Sequence, residues 1–160
     1  MRVVVGLGAN LGDRIATLRT AVAKLSRVAG VRVLARSHVY ETAAVGPPQP
    51  DYLNAAILAE CTIPLDDLMT ELLAIEKSLG RERLEKWGPR TLDLDILWAE
   101  GVTQSTVHVT VPHPHLHERS FAIKPLLDVA PEATDPKTNT RYADLHLPDA
   151  SDVRLATATL

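Results

Sequence analysis

Two helical stripes set the plan of this chain. Ile15, Leu18, Val22 and Leu25 recur at helical spacing behind Asp13, and Leu65, Leu68, Leu72, Ile75 and Leu79 do so behind Pro64. Apolar side chains three and four residues apart line one side of a helix, and that side has to be buried against something. Around them lie short runs rich in valine, isoleucine and leucine, at residues 2–8, 31–40, 52–61 and 93–97, each bounded by glycine, proline or a polar turn. These read as strands. Gly30 and Gly80 are stop signals behind the two stripes, and Pro64 sits at a helix start, where a missing N–H costs nothing.

The resulting order, β-α-β-β-α-β, is that of an α+β, ferredoxin-like fold: an antiparallel sheet with helices packed on it. A small hairpin is expected at 102–111 and a short helix at 120–130, containing Pro125. Beyond Pro131 the chain turns polar, and residues 131–160 are expected to be largely irregular. With 160 residues, 46% hydrophobic and 23% charged, the chain should form one domain, 1–160, with room for a real core. A net charge of −3 argues against a nucleic-acid module, which needs a concentrated basic surface. No apolar run approaches the ~20 residues of a membrane span. The short apolar start lacks a signal-peptide layout. Cys61 is alone and reads as a buried strand residue. A cytoplasmic monomer is expected.

The chemistry concentrates behind the second helix. Residues 92–97 alternate Leu92, Leu94 and Ile96 with Asp93, Asp95 and Leu97. In a strand this sends the first three into a core and puts both carboxylates on one face, about 6.5–7 Å apart at Cα. Two adjacent carboxylates repel each other, and a cation between them removes the conflict; oxygen ligands suit Mg²⁺. Just upstream stand Arg81, Arg83, Lys86 and Arg90, in a segment broken by Gly80, Gly88 and Pro89. That segment has no clean apolar period and reads as a loop, with Trp87 as an amphipathic anchor. Carboxylate-held Mg²⁺ beside such cations can hold a polyphosphate. On residue chemistry alone, the Asp pair reads equally well as a solvated strand face.

Other features leave choices open. Gly6, Gly8 and Gly12 are spaced GxGxxxG and not GxGxxG, so they read as a tight strand-to-helix turn and not as a dinucleotide site. Residues 43–50 hold Gly46, Pro47, Pro48 and Pro50, a stiff surface loop. On the strand that follows, Tyr52, Asn54, Ala56 and Leu58 share a face. The Asn54 amide needs a partner there, and either a backbone group or an aminopyrimidinone edge would serve. Glu76 falls off the second stripe and reads as solvent-facing. His113, His115 and His117 alternate and could share a zinc-binding face, but two prolines lie among them and no cysteine joins the set, which makes zinc the weaker reading.

Trp87-Gly88-Pro89-Arg90-Thr91-Leu92-Asp93-Leu94-Asp95 resembles the signature of the 6-hydroxymethyl-7,8-dihydropterin pyrophosphokinase family. So do, in the family's order, Gly8-Ala9-Asn10-Leu11-Gly12-Asp13, Tyr40-Glu41-Thr42, Gly46-Pro47, Pro50-Asp51-Tyr52-Leu53-Asn54-Ala55-Ala56, Glu76, Gly80-Arg81, Val111-Pro112-His113 and Arg119-Ser120-Phe121. The resemblance runs to about Pro131. It implies the ferredoxin-like fold and an ATP- and Mg²⁺-dependent diphosphokinase of folate biosynthesis. Such an enzyme transfers the terminal diphosphate of ATP to the hydroxymethyl group of the pterin and releases AMP.

By the same resemblance, Asp93 and Asp95 would hold two Mg²⁺ ions and, with Arg81 and Arg90, form the catalytic set. ATP would be met by Glu76, Arg83, Trp87, Ile96, Thr110, His113 and Arg119, and the pterin by Thr42, Ala43, Val45, Tyr52, Asn54 and Phe121. Gly8, Ala9 and Asn10 would lie near the pterin pocket, while His115 and His117 would be exposed. Small molecules, and neither nucleic acid nor membrane, are the implied partners. The chain departs from the commoner pattern at Ala43 and Ala44, where proline is frequent, and at Pro114, where an aromatic can occur. Two other readings remain. A ferredoxin-like binding module without chemistry would have no reason to keep Asp93, Asp95, Arg81, Arg90 and His113 together. A different Mg²⁺-dependent nucleotide transferase is opposed only by the Asn54, Tyr52 and Phe121 set.

Overall fold

The computed structural model describes residues 1–43, 48–80, 91–147 and 152–160. Its strands are β1 (Arg2–Ala9), β2 (Val31–Arg36), β3 (His38–Thr42), β4 (Tyr52–Cys61), β5 (Asp93–Ala99), β6 (Gln104–Ser105), β7 (Thr110–Val111) and β8 (Arg154–Thr159). The helices are α1 (Arg14–Leu25), α2 (Leu65–Ser78) and α3 (Ser120–Val129). The main sheet runs β5-β1-β4-β3-β8, with β2 also paired to β4, and all its pairs are antiparallel. β6 and β7 form the expected hairpin. The β-α-β-β-α-β plan is therefore present, with β1 and β4 at the centre.

The central strands are covered on both faces. Val3, Val5 and Leu7 of β1 pack with Leu53, Ala55 and Ile57 of β4 and with Leu94 and Ile96 of β5, beneath Leu18, Val22 and Leu25 of α1 and Leu68 and Leu72 of α2. Val4, Ala56, Leu58, Leu97 and Trp98 form a second core beneath Ile123, Leu126 and Val129 of α3. The period-2 rule explains the split, since neighbours along a strand alternate between layers. One irregularity matters. The β1–β5 register shifts between Val4↔Trp98 and Val5↔Ile96, which leaves Leu97 as an extra residue. Leu97 and Trp98 consequently both face α3, and the Trp98 indole N–H donates to Thr134 O at 2.9 Å.

Local chemistry sets the helix ends. Asp13 caps α1 by accepting from Ala16 N at 3.1 Å. Asp66 and Asp67 stand in the first turn of α2, where negative charge complements the helix dipole, and Gly80 follows its end at φ +78°. Helix α1 stops at Leu25, ahead of Gly30, whose φ of +85° instead turns the chain into β2.

Three expectations are corrected. Residues 31–40 are not one strand but two, broken at Ser37. There the serine hydroxyl accepts from Ala56 N at 2.8 Å while Ser37 N donates to Ala56 O at 2.9 Å. A side chain thus replaces one ladder bond, and the register steps by one residue between Arg36↔Ile57 and Tyr40↔Asn54. Gly6 and Gly8 lie inside β1, and the turn falls to Gly12 at φ +65°. The end of the chain is not irregular: Arg154–Thr159 is β8, paired with β3, although little of 131–147 is regular beyond a 3-10 turn at Tyr142–Asp144.

Candidate active site

Gly8 of β1 pairs with Asn54 of β4 on one side and with Asp93 of β5 on the other. Gly6 is likewise flanked by Ala56 and Asp95. Tyr40 of β3 continues the first row beyond Asn54. Asp93, Gly8, Asn54 and Tyr40 therefore form one line across four strands, on the face that α3 covers further along. Two strand spacings put Asp93 and Asn54 roughly 10 Å apart at Cα. The glycine leaves a floor between them, since a Cβ on Gly8 would stand 3.2 Å from Asn54 Oδ1 and 3.6 Å from Tyr52 Cδ1.

On the Asn54 side the surroundings are buried and polar. Asn54 is 8% exposed and its Nδ2 donates to Thr42 Oγ1 at 2.9 Å, so its partner is a hydroxyl and not the backbone. Thr42 is buried and pairs with half-buried Tyr52 across β3–β4. Ala43 is exposed, and Val45 lies outside the described residues. Tyr40, quoted only within the Tyr40-Glu41-Thr42 motif, had no site role assigned from the sequence. Tyr40 donates its hydroxyl to Asp128 at 2.8 Å, and burial, aided by that carboxylate, pushes its phenol up to about 12. Its alternation with Thr42 along β3 is the signal that could have found it. Gly8, placed near the pocket by resemblance, acts through the absence of a side chain. Asn10, 1% exposed, donates to Gln49 Oε1 at 2.8 Å and to Pro50 O at 3.1 Å, which pins the end of the proline-rich connection.

On the Asp93 side, Leu92, Leu94 and Ile96 are buried in the α1–α2 core, while Asp93 and Asp95 are half-buried on the opposite face. Among the described residues no three His, Cys, Asp or Glu side chains cluster as a metal site. Two oxygen-only donors at adjacent positions of one face fit a hard cation that keeps places for water and phosphate. They do not fit a closed zinc site. His115 and His117 are exposed and lie 3.5 and 3.3 Å from Glu118.

His113 is held beside β5 by its own backbone, with His113 N donating to Leu97 O at 2.9 Å. Its Nδ1 accepts from His115 N at 3.2 Å, which leaves Nε2 as the protonated ring nitrogen. Burial, then the charges of Arg119 and His115, lower its imidazole to about 4 against an opposing pull from Asp93. His113 thus lies within electrostatic reach of both Arg119 and Asp93. The Arg119 guanidinium carbon lies 5.6 Å from the centroid of the Phe121 ring, a cation–π contact at the start of α3. Thr110 is half-buried in β7.

One expected position differs from its sequence reading. Glu76 is 1% exposed within α2 and is not a solvent-facing charge. The Ile96 side chain is 2% exposed in the α1–α2 core, so a nucleotide could meet only its main chain on the edge strand. Arg81, Arg83, Lys86, Trp87 and Arg90 lie outside the described residues. The residues flanking that segment do meet: Thr91 Oγ1 donates to Gly80 O at 3.5 Å, two positions from Asp93.

Residues 4–131 match the family model for 7,8-dihydro-6-hydroxymethylpterin-pyrophosphokinase. The chain is 44% identical over 142 residues to the 2-amino-4-hydroxy-6-hydroxymethyldihydropteridine pyrophosphokinase of Synechocystis sp., covering 89% of this chain and 73% of that one. It is 40% identical over 140 residues to the Bacillus subtilis protein of the same name, covering 84% of each. Among solved structures, Plasmodium falciparum HPPK-DHPS with pteroate superposes at a TM-score of 0.68 with 13% identity, which shows the fold. That match covers 90% of this chain but 41% of the Plasmodium chain. On its family-model match and its sequence relatives, the chain belongs to the 7,8-dihydro-6-hydroxymethylpterin-pyrophosphokinase family.

Proposed function

We propose that the protein transfers the terminal diphosphate of ATP to the hydroxymethyl oxygen of 6-hydroxymethyl-7,8-dihydropterin and releases AMP. The observation that carries this reading is the row Asp93–Gly8–Asn54. It sets a carboxylate pair and a buried amide on opposite sides of a side-chain-free floor. The relatives' names supply the reaction class, and the spacing of the row supports assigning one reactant to each side of Gly8.

The heterocycle lies on the Asn54 side. Asn54 presents its carboxamide to the aminopyrimidinone edge with Thr42 fixing its orientation, and Tyr52 and Phe121 supply ring faces. The triphosphate lies toward Asp93, where His113 Nε2–H and Arg119 donate to its oxygens, joined by Arg81, Arg83 and Arg90 from the neighbouring segment. Glu76, Trp87, Thr110 and the main chain of Ile96 complete the nucleotide side, and Ala43 and Val45 the pterin side. Two Mg²⁺ ions held by Asp93 and Asp95 would neutralise phosphate charge. The pterin oxygen forms a bond to the β-phosphorus as the bond from that phosphorus to the α–β bridging oxygen breaks, and AMP leaves with the bridging oxygen. The hydroxyl proton passes to solvent or to a carboxylate on this face. Positioning and charge stabilisation carry the step without a dedicated base.

The same reading takes residues 1–160 as one domain acting as a cytoplasmic monomer. Among the described residues no helix is long and apolar enough to cross a membrane. The test is to incubate the purified protein with ATP, Mg²⁺ and the pterin and identify the nucleotide product. AMP that forms only with pterin present supports the proposal. ADP, or turnover indifferent to the pterin, overturns it.

A further inference from the structure

Strand β8 lies beyond the part of the chain that matches the family model, yet it is tied to the pterin side of the site. It pairs with β3 through Tyr40↔Leu155 and Glu41↔Arg154, next to Thr42. From there Arg154 Nη2 reaches Asp51 Oδ2 at 3.1 Å and Glu41 Oε1 at 3.5 Å. Arg14, in the first turn of α1, closes the group from the other side, with Nη1 2.9 Å from Glu41 Oε2 and 2.9 Å from Asp51 O. Glu41 and Asp51 are the residues just before Thr42 and Tyr52, which pair with each other. Two arginines from opposite ends of the chain therefore hold the two ends of the 43–50 connection together.

We propose that Arg154 is a positioning residue for the pterin subsite: it fixes the separation of Glu41 and Asp51 and, through their neighbours, the placement of Thr42, Tyr52 and Asn54. This rests on the pterin reading of that side. The side chains of Arg154, Glu41 and Asp51 are 53%, 32% and 43% exposed. Each pair alone is weak at such exposure, and the effect comes from joining three segments. Among the described residues the ion pairs of Arg154, Arg14, Glu41 and Asp51 stay within this clasp, and the proposal confines its effect to one substrate.

The test compares wild type with Arg154→Glu, Arg154→Lys and Asp51→Asn by steady-state kinetics and by titration of a non-hydrolysable ATP analogue. Arg154→Glu is expected to raise KM for the pterin about fivefold, the upper range of what a half-exposed ion pair contributes. kcat and analogue affinity should stay within about twofold of wild type on the same scale. Asp51→Asn should give the same split and Arg154→Lys should restore wild-type behaviour. Amide exchange at Leu53 and Asn54, measured without substrates, should rise in Arg154→Glu. If KM and exchange are unchanged, or if kcat and nucleotide affinity fall as KM rises, Arg154 is not a positioning residue. If wild type itself does not turn over the pterin but exchange responds to Arg154, the clasp stands and the pterin reading fails.

Discussion

Asp93 and Asn54 face each other across Gly8, each paired to that glycine from opposite sides of β1. The arrangement makes Gly8 a spacer whose function is to have no side chain. Its conformation is ordinary strand, so alanine there faces no backbone strain, but the new Cβ would sit 3.2 Å from Asn54 Oδ1. Gly8→Ala should fold with a melting temperature close to wild type and bind the pterin about tenfold more weakly, a loss of about 1.4 kcal/mol. Equal losses of pterin and nucleotide affinity would show that the floor does not divide two subsites. Pterin fluorescence and calorimetry with an ATP analogue separate the cases.

Asp95 pairs with Gly6 one step along the same face. Half-buried on the face it shares with Asp93, it is a position sensitive to charge. Asp95→Ala is expected to lower kcat by about 10²–10³, the usual consequence of removing one electrostatic element of a phosphoryl-transfer site. Chelation of Mg²⁺ by EDTA should remove turnover in wild type. Activity persisting in EDTA would contradict the assignment of the carboxylate pair.

His113 offers a pH test. Its imidazole lies near 4 in the folded protein, below the ordinary 6.5, chiefly through burial. Between those values the unfolded chain holds more protons than the folded one, so stability from this group is present above about 6.5 and is lost as pH falls toward 4. Ring-proton NMR in metal-free buffer should show a midpoint near 4, moving upward when a triphosphate binds beside the ring. A midpoint at the ordinary value, unmoved by triphosphate, would remove His113 from the site.

The second core is testable through Leu126, fully buried in α3 in the cluster with Val4, Leu58 and Trp98. Leu126→Ala should cost about 2–5 kcal/mol in urea unfolding, because the cavity adds to the lost transfer energy. A cost below 1 kcal/mol would mean that α3 packs loosely on this face.

The sequence carried much of this in readable form. The stripes of α1 and α2 and the alternation from Leu92 to Ile96 have periods that survive folding unchanged, because the burial that selects them also creates them. Asn54 was legible as an amide in need of a partner. What escaped depends on tertiary context. The break at Ser37 arises from a hydroxyl bonding to β4, and no local period announces that. Glu76 is off the apolar stripe yet buried, since helices packed over a sheet can cover more than one side. Apart from Leu155, β8 is made of small and polar residues, and it takes its strand state along the open edge of β3. The basic residues from Arg81 to Arg90, legible as cations able to hold a polyphosphate, and Val45, named from resemblance, lie outside the described residues.

The most direct measurement follows both transferred phosphorus atoms. ATP labelled separately at the β and γ positions would be incubated with Mg²⁺ and 6-hydroxymethyl-7,8-dihydropterin, with Asp95→Ala in parallel, and the pterin product isolated. Attack at the β-phosphorus is expected to deliver both labels to the pterin in equal amount, with unlabelled AMP released and neither label moved by the variant. The γ label alone in the product would mean a single phosphoryl transfer, and would contradict the reading of this site.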